Sequence, residues 1–204
     1  IDATGAGASG VSIASGFGDD QVTGSAGDDT IGTSHGNDTV LGGAGADNIS
    51  TDYGDDSVVG GTGADTVSGG FGDDSLYGDE GDDSLYGGYG TDLIYGGSGD
   101  DTIGIGRDDG DIAYGEDGSD YFFFDDQMGD STVYGGEGGS DVDLIEFDNL
   151  FGDGITVTWT TDEAADSRVD YGTHPDSLLS SETAALLVTD HAVTLTGLLA
   201  DTVY

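Results

Sequence analysis

Residues 15–104 read SGFGDDQVT, GSAGDDTIG, TSHGNDTVL, GGAGADNIS, TDYGDDSVV, GGTGADTVS, GGFGDDSLY, GDEGDDSLY, GGYGTDLIY and GGSGDDTIG. These ten segments are copies of one nine-residue pattern and follow each other without a gap. In every copy the fourth position is Gly, the sixth is Asp and the eighth is Val, Leu or Ile. A period this strict predicts one structural unit that stacks on copies of itself. A carboxylate in phase with that period predicts that the stack binds cations.

Each repeat combines a turn with a short strand. The first six positions predict a turn, because glycine tolerates positive φ and lets the backbone approach an ion closely. The last three predict a strand in which only the eighth position points inward, since side chains alternate along a strand. Two repeats then complete one coil, and repeats n and n+2 stack about 4.8 Å apart. The predicted fold class is all-β, with a parallel β-roll over most of the chain.

The composition limits the function of the chain. Its 204 residues carry a formal net charge of −41, with Arg107 and Arg168 as the only Lys or Arg residues. Such a charge repels nucleic acid and anionic membrane surfaces and opposes compaction. A chain of this kind is disordered unless something offsets the repulsion. The in-phase aliphatic residues argue for a fold, so we expect disorder without cations and a fold with them.

Other composition features point to metal and to export. The chain has no cysteine, so disulfides cannot stabilise its small core. Bound metal is the obvious alternative cross-link. No apolar run is long enough to span a membrane. No basic and apolar leader is visible at Ile1, which leaves a processed form, a fragment or export without a cleaved N-terminal signal.

Calcium fits the repeat best among the common divalent ions. It takes six to eight oxygen ligands and accepts backbone carbonyls along with carboxylates. Magnesium demands tight octahedral geometry and keeps its waters, so a carbonyl-rich turn suits it poorly. Zinc prefers Cys or His, and His35, His174 and His191 are scattered.

The pattern G-G-x-G-x-D-x-U-x, where U is aliphatic, resembles the repeats-in-toxin (RTX) family. The resemblance implies a parallel β-roll with calcium between turns n and n+2, held by the aspartates and by glycine carbonyls. On this sequence the implied carboxylates are Asp20, Asp29, Asp38, Asp47, Asp56, Asp65, Asp74, Asp83, Asp92 and Asp101. The implied glycines are Gly18, Gly27, Gly36, Gly45, Gly54, Gly63, Gly72, Gly81, Gly90 and Gly99.

The repeat loses regularity at both ends. Residues 1–14 keep the phase through Ile13 but lack the Asp, which predicts an N-terminal cap coil. Residues 105–148 contain insertions, yet Asp111 and Asp120 fall at the sixth position and are further predicted ligands. In the last unit, Asp143 is predicted to take the role of the sixth position and Ile145 that of the eighth. The predicted roll therefore covers residues 15–148, with regular repeats over 15–104.

Odd and even repeats differ at the third and ninth positions. The third position is aromatic in the odd repeats: Phe17, His35, Tyr53, Phe71 and Tyr89. The ninth position of the odd repeats is also largely apolar: Thr23, Leu41, Val59, Tyr77 and Tyr95. We predict that one side of the roll is aromatic and apolar and presents a ladder of rings. This ladder either stiffens the roll locally or forms a contact surface, since contiguous exposed apolar patches mark interfaces.

The composition changes after Gly154. Period-two segments follow, ITVTWTT at 155–161, SRVDYG at 167–172, AVTLTGL at 192–198 and TVY at 202–204. Such segments predict antiparallel sandwich strands. Residues 155–204 also resemble a fibronectin type III domain that lacks its last strands. Either the chain continues in nature with those strands, or a strand from elsewhere completes the sheet, donated by a neighbouring subunit or by residues 1–11.

The sequence predicts a structural function. No metalloprotease, nucleophile-elbow or phosphate-loop motif is present, so we expect no enzyme activity. The expected role is a secreted, extracellular or cell-surface calcium module, forming a rigid part of an adhesin, surface-layer protein or filament. The RTX resemblance implies a bacterial source, and self-association through the aromatic ladder or the open sandwich is a further expectation. Two alternatives remain: an export and stability region of a type I-secreted enzyme or toxin, and a carbohydrate-binding adhesive module.

Overall fold

The repeats form short strands that alternate between two sheets. The computed structural model describes residues 1–107, 110–124, 131–136, 144–147, 154–171 and 180–196. Asp143 lies outside these residues. The strands of the first sheet are β1 Ser12–Ala14, β3 Thr30–Gly32, β5 Asn48–Tyr53, β7 Thr66–Phe71, β9 Ser84–Tyr89, β11 Thr102–Gly104, β13 Tyr121–Phe124 and β15 Leu144–Phe147. Those of the second sheet are β2 Gln21–Thr23, β4 Thr39–Ala44, β6 Ser57–Thr62, β8 Ser75–Glu80, β10 Leu93–Ser98, β12 Ile112–Asp117 and β14 Thr132–Tyr134.

Each strand pairs in parallel with the strand two further along the chain. Val40 lies beside Val58 in the second sheet, and Ile49 lies beside Val67 in the first, each pair 18 residues apart. The extra residue after position 104 raises the spacing to 19, so that Ile94 lies beside Ala113. This register confirms the predicted parallel β-roll with two repeats in each coil.

The strands are longer than the repeat pattern predicts. In the central coils they have six residues and continue through the first three positions of the next repeat, as in Ser57–Thr62. Their buried residues alternate, so Val58 and Gly60 both face inward. The prediction that positions one to six are all turn, with a single inward position, was therefore wrong. The turn itself is confined to positions four to six, where Gly54 has φ 131°.

The core is one residue deep and lies between the two sheets. The eighth-position residues are at most 1% exposed from Val22 through Ile103: Val22, Ile31, Val40, Ile49, Val58, Val67, Leu76, Leu85, Ile94 and Ile103. Ala113, Phe122 and Val133 continue the same core beyond the regular repeats. Phe122 and Phe124 both point inward, so two of the four aromatic residues at 121–124 belong to this core.

The N-terminal residues lie against the first coils. Ala3 N–H donates to the Thr23 carbonyl, and Thr23 N–H donates to the Ile1 carbonyl, both at 2.8 Å. A 3₁₀ turn follows at Thr4–Ala6, and β1 then pairs with β3 so that Ile13 lies beside Ile31. Residues that precede the repeats thus cover both sheets at this end, residues 1–3 against β2 and β1 against β3.

Two long strands form the C-terminal region. They are β16 Gly154–Tyr171 and β17 Ser180–Thr196, which pair antiparallel with Val157 beside Val193. Among the described residues these two strands form one two-stranded sheet, and the predicted sandwich is not supported. The expected strand at 202–204 lies outside the described residues.

The aromatic residues form two ladders on different sheets. The first ladder is Phe17, His35, Tyr53, Phe71 and Tyr89, whose neighbouring ring centroids lie 4.6–4.8 Å apart. The second is Tyr77, Tyr95, Tyr114 and Tyr134, with spacings of 4.7–5.1 Å. The prediction that the third and ninth positions of odd repeats share one side was wrong. Because a strand crosses the repeat boundary, Tyr53 shares β5 with Ile49 of the preceding repeat.

Candidate metal centre

The sixth-position aspartates form one buried column along each edge of the roll, where the chain turns from one sheet to the other. From Asp29 to Asp120 these residues are at most 3% exposed: Asp29, Asp38, Asp47, Asp56, Asp65, Asp74, Asp83, Asp92, Asp101, Asp111 and Asp120. Asp20, in the first repeat, is partly exposed. A buried charge is costly unless it is paired, so these columns need a compensating group.

One oxygen of each carboxylate is used by the fold. Oδ1 of Asp74 accepts a hydrogen bond of 2.8 Å from the N–H of Asp56, one coil earlier. The same bond joins Asp65 N–H to Asp83 on the other edge at 2.7 Å. Asp111 and Asp120 continue the columns across the insertion, accepting from Asp92 and Asp101. Successive turns are therefore connected through their carboxylates.

The second oxygen is left without a partner in most of these turns. Oδ2 is buried and makes no hydrogen bond to any described residue at Asp38, Asp47, Asp65, Asp74, Asp83 and Asp101. Most buried polar atoms in folded proteins have a partner. A row of buried carboxylate oxygens without one therefore indicates a missing cation.

The unpartnered oxygens face backbone carbonyls across the first position of the repeat. A methyl group placed on Cα of Gly60 would lie 2.5 Å from Asp65 Oδ2 and 3.0 Å from the Gly78 carbonyl oxygen. At Gly42 the corresponding distances to Asp47 Oδ2 and the Gly60 carbonyl are both 2.5 Å. A carboxylate oxygen and a carbonyl oxygen of the next coil thus converge on a space that only glycine leaves open. We call this space the oxygen cradle.

The electrostatics of the columns favour a bound cation. Burial raises the pKa of Asp65 to about 6 and the pKa of Asp74 and of Asp101 to about 7. Backbone hydrogen bonds lower these pKa values, and neighbouring aspartates raise them further. The ionised forms are therefore disfavoured in the absence of a positive charge. A divalent ion in the cradle supplies that charge to two successive coils.

The donor set fits calcium. Within the described residues, no three Asp, Glu or His side chains converge on one point, so backbone carbonyls must complete any coordination shell. A mixture of carboxylate and carbonyl oxygens is the set that calcium accepts. The aspartate Oδ2 atoms and the carbonyl oxygens of the first-position residues would hold the calcium ion.

Asp29 differs from the other predicted ligands. Its Oδ2 accepts from the Ser25 N–H at 2.6 Å, and its Oδ1 accepts from the Val11 N–H and the Ser25 hydroxyl at 2.7 and 2.8 Å. Burial acts to raise the pKa of Asp29, but these hydrogen bonds outweigh it and the pKa is lowered. The Asp29 carboxylate is therefore satisfied by the protein itself.

The fourth-position glycines lie where the coils approach most closely. Nearly all of those predicted as ligands have positive φ, for example 123° at Gly63 and 127° at Gly72, and Gly27 does not. A methyl group on Gly72 would collide with the Gly54 carbonyl of the preceding coil. These positions thus require glycine for close packing, and their role as ligands stays a prediction.

Sequence reasoning missed two features of the site. The first-position glycines that open the cradle were predicted only as part of a turn. The signal that could have identified them is the glycine that begins every even repeat, from Gly24 to Gly96, and again the unit at Gly115. Fifth-position side chains form an exposed ladder, in which Asp73 N–H donates to Asp55 Oδ1 at 3.1 Å and Thr91 N–H donates to Asp73 Oδ1 at 2.9 Å. The recurrence of Asp or Asn at that position could have indicated this ladder.

A parallel roll with one inward carboxylate in every turn defines a calcium-binding type of β-solenoid. Residues 15–103 match the family model of the RTX calcium-binding nonapeptide repeat in four overlapping copies, at 15–49, 33–67, 50–85 and 68–103. This part of the chain consists of RTX repeats, which occur in secreted bacterial proteins and bind Ca²⁺ between turns. The resemblance inferred from the sequence is therefore confirmed for the repeats. The fibronectin-like resemblance of the C-terminal segment is not confirmed.

Two further findings complete the description of the chain. No curated protein matches the chain. No helix in the described part of the chain has the length and hydropathy needed to cross a bilayer.

Proposed function

We propose that the chain is an extracellular structural module that folds when it binds calcium, with no catalytic role. It serves as a rigid part of an adhesin, a surface-layer protein or a self-assembling filament. The observation that carries the proposal is the buried, unpartnered Oδ2 that faces a carbonyl in successive coils, as at Asp65 and Gly78. Extracellular calcium modules have Kd values of about 10⁻⁴–10⁻³ M, which suits an unfolded chain inside the cell and a folded one outside.

The regular register supports a stiff module. Backbone hydrogen bonds, carboxylate bonds and ring stacks all run in the same direction, from each coil to the next. Bending the roll would stretch all three sets of contacts on one side. A load-bearing or spacing role therefore fits this architecture better than a role that depends on an open cleft.

Calcium titration of the full chain tests the proposal. Far-UV circular dichroism and sedimentation velocity are measured in a calcium-depleted buffer, then with increasing calcium, with magnesium as the matched control. We expect strand content and compaction to appear with calcium at millimolar or lower concentration and not with the same concentration of magnesium. A chain that is equally compact without calcium would contradict the proposal.

The carbohydrate-binding alternative requires exposed ring faces. Tyr53, Phe71 and Tyr89 stack face to face, with interplanar angles of 3–4° and centroids 4.7–4.8 Å apart. Their faces cover one another, and only ring edges are left for a ligand. Phe17, 83% exposed at the end of the ladder, is the exception. Sugar rings stack on aromatic faces, so this geometry disfavours glycan binding along the ladder.

The export alternative requires the same calcium chemistry. A repeat region of a type I-secreted enzyme or toxin would bind calcium as proposed above, and would differ in having a catalytic domain in the same reading frame. The full-length gene decides between the two roles. A reading frame with a recognisable enzyme domain would favour the export and stability role.

We also propose that the first aromatic ladder is a joint for self-association. Its rings are 39–83% exposed at Phe17, Tyr53, Phe71 and Tyr89, which is unusual for large apolar side chains. Sedimentation velocity in calcium is expected to show concentration-dependent assembly that Tyr53→Ser with Phe71→Ser abolishes. A wild-type chain that stays monomeric across a wide concentration range would exclude the joint.

The fibronectin-like organisation of residues 155–204 is likewise kept as a proposal. The antiparallel pairing of β16 with β17 is compatible with it, because such domains consist of antiparallel strands. Backbone NMR of the full chain in calcium is expected to reveal additional strand pairing in this region, including a second partner for residues 192–196, which pair on one side with residues 154–158. An isolated two-stranded hairpin would exclude a sandwich.

A further inference from the structure

The two edges of the roll differ at the first position of the repeat. At the glycine edge, where the chain turns from the second sheet to the first, this residue is always glycine: Gly24, Gly42, Gly60, Gly78, Gly96 and Gly115. At the mixed edge, where the chain turns back, the same inward position holds Ser15, Thr33, Thr51, Gly69, Gly87 and Ile105. The even repeats supply the glycine edge and the odd repeats the mixed edge, because two repeats complete one coil.

Threonine fills the oxygen cradle at the mixed edge. Thr51 is 0% exposed, and its hydroxyl donates to the Gly69 carbonyl at 2.8 Å. That carbonyl corresponds to the Gly78 carbonyl that faces Asp65 across Gly60 on the glycine edge. Thr51 therefore occupies the space with its side chain and also uses the carbonyl that elsewhere remains available.

Thr33 repeats this arrangement one coil earlier. It is 4% exposed, and its hydroxyl donates to the Thr51 carbonyl at 3.2 Å. The two threonines therefore form a short column of hydroxyl–carbonyl bonds, but Oδ2 of Asp38 in the Thr33 turn still has no partner among the described residues. The glycine edge has no side chain at the corresponding positions.

The last described turn of the mixed edge is also filled. Ile105 is 1% exposed at the first position, and its side chain offers no ligand atom. The hydroxyl of Ser131 donates to Asp111 Oδ2 at 3.3 Å, the oxygen that is unpartnered in the open turns. A hydroxyl from the protein thus takes part of the role that a cation has elsewhere.

We propose that calcium binding is asymmetric between the two edges. Ions bind in the open cradles, those of Gly42, Gly60, Gly78 and Gly96 on the glycine edge and of Gly69 on the mixed edge. The turns at Thr51 and Ile105 bind none and are held by hydrogen bonds and packing instead. This inference rests on the proposed function and deepens it, since it states which turns of this chain hold calcium.

The number of bound ions tests the inference. Native mass spectrometry of the full chain at saturating calcium counts the ions on the wild type and on Thr51→Gly, Thr51→Val and Gly60→Thr. We expect one additional ion for Thr51→Gly, because the cradle opens and the Gly69 carbonyl is released. Thr51→Val keeps the space filled without a hydroxyl, so its count should equal that of the wild type. Gly60→Thr should lose one ion.

The variants separate a filled cradle from a threonine ligand. If the Thr51 hydroxyl were itself a calcium ligand, Thr51→Val would lose an ion, which would overturn the inference. An unchanged count for Thr51→Gly, with its strand content intact by circular dichroism, would overturn it as well. If Gly60→Thr fails to fold, the two Thr51 variants still decide the question. A wild-type chain that binds no calcium would instead overturn the proposed function, and this inference with it.

Discussion

Asp65 donates its backbone N–H to Oδ1 of Asp83 at 2.7 Å, one coil further along the same edge, while Oδ2 of Asp83 is buried without a partner among the described residues. The two oxygens of one carboxylate thus have different roles. One oxygen ties the coils together, and the other creates the need for a cation. Substitutions can separate these roles because asparagine keeps the first and removes the second.

Asp83→Asn should therefore weaken calcium binding while keeping the hydrogen bond from the Asp65 N–H. The amide oxygen can still accept from Asp65, but the second oxygen and the charge are lost. We expect the calcium midpoint of folding to rise by at least about tenfold, which corresponds to about 1.4 kcal/mol. Circular dichroism during a calcium titration measures it. Asp82→Asn, at the exposed fifth position, is the matched control, and an equal shift for both variants would contradict the assigned roles.

The stability of the calcium-free roll should fall as the pH rises. Asp74 and Asp101 have pKa values raised from 3.8 to about 7 in the fold, so the folded state holds more protons than the unfolded chain between these values. Their stabilising contribution is complete below pH 3.8 and is lost as the pH rises through about 7.

Calcium should reverse this dependence, because it binds the ionised carboxylates and competes with protons. Thermal unfolding between pH 4 and pH 8 measures both cases, in calcium-depleted buffer and at saturating calcium. Without calcium we expect any folded fraction to be largest near pH 4 and to be lost as the pH rises through about 7, whereas at saturating calcium the unfolding temperature should increase with pH. Parallel profiles would contradict the assignment of the buried aspartates to the cation site.

Asp79→Gly should stabilise the roll. Asp79 has φ 75° at a position where its neighbours in register, Gly61 and Gly97, have φ 119° and 115°. A non-glycine residue in this region costs on the order of 1 kcal/mol. Removing its side chain also removes one negative charge from a crowded surface. We expect an increase of about 1 kcal/mol in the free energy of unfolding at saturating calcium, measured by thermal or denaturant unfolding.

The reverse substitution, Gly61→Asp, provides the comparison in the same column. It introduces both the strain and a collision with the Gly43 carbonyl. A loss of stability is expected, larger than the gain from Asp79→Gly. If Asp79→Gly were neutral or destabilising, the positive φ would not be a cost, and the Asp79 side chain would have a stabilising role.

Phe71→Ser should destabilise the first aromatic ladder from its interior. Phe71 stacks on Tyr53 and on Tyr89, and each stacked pair contributes about 0.5–1.5 kcal/mol beyond its buried area. The loss of two pairs predicts a decrease of about 1–3 kcal/mol in the free energy of unfolding. Phe17→Ser is the control, because Phe17 ends the ladder with one ring contact and is 83% exposed. Equal effects would show that stacking contributes little.

Much of the roll could be predicted from the strict period. An Asp and an aliphatic residue that recur every nine positions leave few geometries in which all aliphatic residues share one core. The alternating sheets, the 18-residue register and the buried Asp column follow from that requirement. The insertion before Asp111 could also be placed, because only one shift restores its phase with Asp92.

The strand ends could not be predicted from the repeat. The pattern changes from turn-like to strand-like composition at position seven, yet the hydrogen bonds of a parallel sheet continue as long as neighbouring coils stay in register. They therefore extend into glycines such as Gly60 and Gly61 and stop only at Gly63. The same extension places Tyr53 and Tyr77 on different sheets.

The sequence by itself determined the coil, its inward carboxylates and the kind of ion they require, because these depend on a period and on the chemistry of oxygen ligands. Only the tertiary structure decided which carboxylates and carbonyls the protein satisfies by itself. Ser25 reaches Asp29, Ser131 reaches Asp111, and the Thr51 hydroxyl takes the Gly69 carbonyl. The last two contacts join residues of successive coils, 20 and 18 positions apart, so only the stacking of those coils brings them together.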